Sequence, residues 1–101
     1  MRFEIKHRWN GNILFAGDFN SIKLCLEAAI KSGSNLRGSD LRGSDLSNSD
    51  LSNSDLRGSD LSNSNLSNSN LRNSDLSNSD LRDSNLSNCD LRGSNLRGSN
   101  L

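Results

Sequence analysis

Proline, valine and tyrosine are absent from these 101 residues, aromatics make up 4%, and histidine and tryptophan occur once each. The only cysteines, Cys25 and Cys89, are too few and too far apart for a disulfide framework or a zinc site. Both read as small buried hydrophobes in a reducing compartment. No apolar stretch approaches the ~18 residues of a membrane span. The opening MRFEIKHRWNG is charged throughout, where a secretory signal carries an apolar run. A cytoplasmic location without membrane contact is the expectation. Apolar residues amount to only 31%, which alone would suit a disordered chain. Against that, Leu, Ile and Phe together supply 24 residues and the net charge is +0, both outside the range of disorder.

Composition divides the chain near Gly33. Residues 1–33 hold every aromatic, the sole histidine and all isoleucines, whereas residues 34–101 contain only Ser, Asn, Asp, Leu, Arg, Gly and one Cys. Neither part has the basic patch of a nucleic-acid interface. In the first part Phe3, Ile5, His7 and Trp9 alternate with Arg2, Glu4, Lys6 and Arg8, the period of a half-buried strand. Asn10-Gly11 offers a two-residue hairpin turn into a second strand, NILFA. The segment SIKLCLEAAIKSG follows, with Ile22, Cys25, Leu26, Ala29 and Ile30 on one helical stripe. Asn20 or Ser21 suits its start and Gly33 its end. Residues 1–33 therefore read as a hairpin-plus-helix lid, covering the rest through Ile22, Leu26 and Ile30.

From Ser34 to Leu101 leucine recurs every fifth residue, fourteen times, within S-(D/N)-L-(R/S)-(G/N). Five residues of helix leave successive leucines about 140° apart, and an odd period in a strand sends them to alternate faces. A chain that turns a corner every five residues points all of them inward, and stacked coils of such a chain hydrogen-bond to one another. The corner residues fit. The second residue after leucine is Gly at 38, 43, 58, 93 and 98, Asn at 48, 53, 63, 68, 73, 78 and 88, and Asp at 83, as a turn requiring positive φ demands. The Ser and Leu positions are expected inward, with Asp/Asn and Arg/Ser outward.

This array resembles the pentapeptide-repeat family over residues 34–101. The resemblance implies an all-β solenoid: a right-handed quadrilateral β-helix with four pentapeptides per coil, here with an N-terminal β-hairpin and α-helix cap. The small position, where alanine predominates in the family, is serine in thirteen repeats and Cys89 in the other. An inward hydroxyl without a partner costs ~1–3 kcal/mol, so a serine ladder or a carbonyl of the adjacent coil is expected to receive it.

No catalytic constellation is visible, no cofactor motif appears, and a non-enzymatic chain is expected. His7 reads as a structural histidine on the inner face beside Trp9. Asp alternates with Asn at one repeat position, which argues for a solvated face rather than a metal site. With four repeats per coil, Arg37, Arg57 and Arg97 share a face, Arg42 and Arg82 a second, and Arg72 and Arg92 a third. The fourth, Ser47, Asn48, Ser67, Asn68, Ser87 and Asn88, is free of arginine and is a candidate docking face.

Two functions compete. The favoured one is a structural or protein-interaction scaffold, a rigid rod with four flat faces and an unidentified protein partner. The other, implied by the resemblance, is a DNA mimic that binds type II topoisomerases such as gyrase. Fourteen repeats make about 3.5 coils, roughly 17 Å at ~4.8 Å per layer, or about five base-pair steps. With a near-neutral array, that is a poor mimic. The last coil, with Leu86, Leu91, Leu96 and Leu101, has no blunting element after it in this sequence. An unprotected edge of that kind invites pairing, so a homodimer joined end to end through the C-terminal coil is expected.

Overall fold

In the computed structural model, which describes all residues from Met1 to Leu101, two strands and a helix precede the array. Strand β1 (Arg2–His7) pairs antiparallel with β2 (Ile13–Asp18), from Arg2 opposite Asp18 to Lys6 opposite Ile13, with an irregularity between Ile5 and Lys6. The two-residue Asn10-Gly11 turn is not what joins them. Residues 8–12 form a longer connection, closed by His7 N to Asn12 O (2.8 Å) and Gly11 N to His7 O (3.1 Å). Trp9 is accordingly 75% exposed, not inward. The reason lies in Arg8. Its amide donates to Gly38 O (2.7 Å) and its Nη1 to Gly58 O (3.0 Å), while Nη2 lies 3.7 Å from Asp60. These contacts turn Arg8 inward, break the strand alternation, and leave its neighbour facing out.

Helix α1 (Ile22–Lys31) starts at Ser21, whose hydroxyl accepts from the Leu24 amide at 3.2 Å. Its buried stripe is Cys25, Leu26 and Ala29, narrower than expected because Ile22 and Ile30 are only half-buried.

Beyond Gly38 the backbone repeats itself every twenty residues. Leu41 N donates to Asp60 O (2.8 Å), and Asp60 N donates back to Ser39 O (2.8 Å); Leu71 N and Asp90 O continue the pattern at 2.8 Å. Parallel bridges join residues twenty apart, from Asp40 with Asp60 to Asp80 with Asn100. One layer thus spans twenty residues, or four five-residue repeats. All thirteen corner residues have φ between 57° and 73°, Asp83 among them at 60°.

Leucines 36 to 81 are at most 2% exposed and join Ile5, Cys25, Leu26 and Ala29 in one core. The serine hydroxyls point inward with them and bridge the layers: Ser64 Oγ donates to Leu41 O (2.8 Å), Ser69 Oγ to Leu46 O (2.9 Å) and Ser74 Oγ to Leu51 O (2.6 Å). Cys89 occupies the same slot, its Sγ 2.8 Å from Leu66 O. No buried side-chain nitrogen or oxygen is left without a partner. Asp60, Ser77 and Asp80 depart from the outward pattern, being only 8%, 8% and 9% exposed, the two acids beneath neighbouring arginines.

The first layer is closed by more than the helix. The two-residue strand β3 (Ser39–Asp40) pairs antiparallel with β1, His7 opposite Ser39 and Lys6 opposite Asp40. Glu27 Oε2 accepts from Asp50 N at 2.7 Å, a donor that deeper layers satisfy with a carbonyl of the layer before. The molecule measures 30 × 26 × 24 Å. It is a block rather than a rod, because so few layers stack no higher than one layer is wide.

Candidate interaction surfaces

A twenty-residue offset turns each repeat position into a column, and the charges follow a rule along those columns. Where Asp stands two residues before Arg, the two pair within the repeat: Arg42 with Asp40 (2.9 Å), Arg57 with Asp55 (2.9 Å), Arg82 with Asp80 (2.7 Å) and Arg92 with Asp90 (2.6 Å). Where Asn stands there, the arginine reaches the acid one layer on: Arg37 meets Asp55 at 2.8 Å and Arg72 meets Asp90 at 3.4 Å. Arg97 follows Asn95, and its guanidinium has no acidic partner. Among the array's acids, the Asp83 carboxylate has neither an ion pair nor a hydrogen bond. These two were not singled out as site residues from the sequence. The signals were Asn95 in place of Asp, and Asp83 as the only acid at a corner.

The paired acids are correspondingly acidified. Hydrogen bonds from Arg82 and Arg92 lower Asp80 and Asp90 to about 2. The Arg42 guanidinium holds Asp40 below its usual value, and the hydroxyls of Ser47 and Ser52 do the same for Asp45 and Asp50.

In the arginine-free column Asn48 N donates to Ser67 O (2.9 Å) and Asn68 N to Ser87 O (3.0 Å), with Asn48, Asn68 and Asn88 at its corners. Its hydroxyls are already occupied in two layers: Ser47 Oγ donates to Asp45 (2.8 Å) and Ser67 Oγ to Asn65 (2.7 Å). Two of the three serine hydroxyls of this column are thus bonded within the molecule.

The layer of residues 82–101 differs. Leu86, Leu91 and Leu96 are half-buried and Leu101 is 73% exposed. In inner layers the leucine and corner amides and the serine carbonyls bond to the next layer. In this layer the amides of Leu86, Leu91 and Leu96 and the carbonyls of Ser84, Cys89 and Ser94 face outward without partners.

His7 stands where the lid meets the array. Its Nδ1 accepts from Trp9 N at 3.2 Å, and its ring lies so close over Gly38 (φ +72°) that a Cβ there would come within 2.5 Å of Nε2. Nowhere do three or more His, Cys, Asp or Glu side chains gather as metal ligands would. A cleft between β1 and the first layer is lined by Arg2, Glu4, Lys6, Asp40 and Arg42, and these charges pair among themselves.

A model of the pentapeptide repeat region matches residues 31–101. Among solved structures the chain is similar to HetL, a pentapeptide repeat protein involved in heterocyst differentiation regulation from the cyanobacterium Nostoc sp. strain PCC 7120. Identity is 29% and the TM-score 0.42, over 65% of this chain and 38% of that one. It is similar to Rfr23 from the cyanobacterium Cyanothece 51142 at 30% identity and a TM-score of 0.34, over 65% and 55% of the two chains. A third, alr5209 from Nostoc PCC 7120, has 26% identity and a TM-score of 0.30, over 70% and 72%. The chain thus spans well under two thirds of the first two. No curated protein matches the sequence.

Proposed function

The chain belongs to the pentapeptide-repeat family, and from that premise we propose that it is a non-enzymatic scaffold that acts by docking proteins. In this reading the layers form a right-handed quadrilateral β-helix, which the parallel bridges between residues twenty apart and the regular corners support. The free thiols Cys25 and Cys89 suit a reducing cytoplasm. The observation that carries the reading is the contrast between surfaces. The lateral faces satisfy most of their own polar groups, whereas the layer of residues 82–101 presents partly exposed leucines and a row of unpaired backbone groups.

That edge docks a second copy. Two such edges carry both donors and acceptors, and joining them end to end gives a closed dimer with a lid at each far end. The column Ser47, Ser67 and Ser87 remains free for another protein. A DNA-mimic role is not favoured, because it needs an unbroken acidic surface and here arginines neutralise the acids of three columns. Sedimentation equilibrium of the 101-residue chain at tens of micromolar tests the docking. A species of twice 11.0 kDa is expected, and a clean monomer overturns the dimer.

A further inference from the structure

Arg97, the array's one arginine without an acidic partner, and Asp83, its one acid with neither an ion pair nor a hydrogen bond, both lie in the layer of residues 82–101. They also flank the same side of it. The corner at 97–98 stacks over that at 77–78, and Ser79, Asp80 and Leu81 run from there to the corner at 82–83. The two corners therefore bound the face on which Asn100 bridges to Asp80. A twofold axis through the middle of this face exchanges the corners, setting Arg97 of each copy against Asp83 of the other.

Shape selects the same axis. The chain climbs one layer, about 4.8 Å, in twenty residues, so the outer rim of this layer is a ramp. Its step falls where Asn100 lies over Asp80. A twofold through the step lays the high end of one ramp over the low end of its mate and keeps the gap even all round. A twofold turned by a quarter leaves a step of one layer standing open. Charge and shape thus converge on one arrangement.

We infer that Arg97 and Asp83 form a reciprocal ion pair that fixes the register of the end-to-end dimer, an inference that rests on the dimer proposed above. The pair extends the rule seen inside the molecule, in which an arginine preceded by Asn takes its acid from the adjoining layer. In an isologous interface each such pair occurs twice, so both charges are satisfied without a second kind of contact.

The test uses two single variants, Arg97→Asp and Asp83→Arg, each checked for an intact fold by circular dichroism and thermal unfolding. Each alone sets like charges against each other and is expected to dimerise at least about tenfold more weakly than the parent. Mixed together, the two variants restore opposite charges at both contacts, one with the parental signs and one with the signs exchanged. A heterodimer of near-parental affinity is expected from the mixture. Asp83→Gly, which keeps the positive-φ corner and removes the charge, is expected to weaken the dimer; Asp83→Arg should not rescue it, whereas Arg97→Asp, which still carries Asp83, should restore one of the two contacts and rescue it in part. A parental dimer that Arg97→Asp leaves unchanged, or a mixture of well-folded variants that stays monomeric, overturns the pairing while leaving the dimer standing. A monomeric parent overturns the dimer itself.

Discussion

Thirteen corners hold a left-handed backbone, and at each the side chain decides what that conformation costs. Glycine adopts it freely and Asn tolerates it, whereas an ordinary residue loses roughly 1–2 kcal/mol. Asn63→Ala is expected to lower stability by about that amount and Asn63→Gly by less than about 0.5 kcal/mol, read from denaturant midpoints. Inside, Leu71→Asp places an unpaired charge in a fully buried slot and should abolish cooperative thermal unfolding. The acids add a pH dependence. Asp80 and Asp90 titrate at about 2 in the native protein, against about 3.9 for an unperturbed aspartate. A depressed native value stabilises the fold above the unfolded value, and that contribution fades as pH falls from about 4 towards 2. Denaturant midpoints between pH 6 and pH 2 should drop in that window, and less steeply for the Asp80→Asn/Asp90→Asn double variant. Corners and inward leucines were legible because a five-residue period admits no other burial. The partners of the arginines were not, since the choice between Asp two residues before and Asp one layer on exists only once the layers stack.

Among the elements, α1 was the most readable, its stripe and its cap at Ser21 both set by local chemistry. The hairpin was read less well. The alternation of the sequence runs through to Trp9, but the strand ends at His7 because Arg8 bonds to Gly38 O and Gly58 O. Nothing local to MRFEIKHRWNG encodes partners thirty and fifty residues away. The pairing of β1 with β3 was invisible for the same reason, and it bears directly on the lid's role. Arg8→Ala should leave the array folded while loosening the lid, raising the amide exchange of Lys6 and His7 and lowering stability by about 1–3 kcal/mol. Removing residues 1–33 should give an aggregating or unfolded array, since the first layer would lose β1, the Glu27 carboxylate and the helix stripe together. A soluble, cooperatively folded fragment 34–101 would show that the lid is dispensable for folding.

At the scale of the whole molecule, stability is laid down layer by layer, each contacting only its neighbours. The first layer is covered by the lid, and the layer of residues 82–101 presents its backbone. The expected rod proved to be a block of 30 × 26 × 24 Å. For the proposed scaffold, that shape gives the layer of residues 82–101 as much weight as any lateral face. Residue-resolved amide hydrogen exchange at two protein concentrations tests this division most directly. The amides of Leu41 to Leu81, each bonded to the next layer, should be slow at every concentration. Those of Leu86, Leu91 and Leu96 should exchange quickly when dilute and become protected at tens of micromolar, as a second copy covers them. Fast exchange of these three at all concentrations, or slow exchange of all three in a dilute monomer, would contradict the end layer as the docking surface.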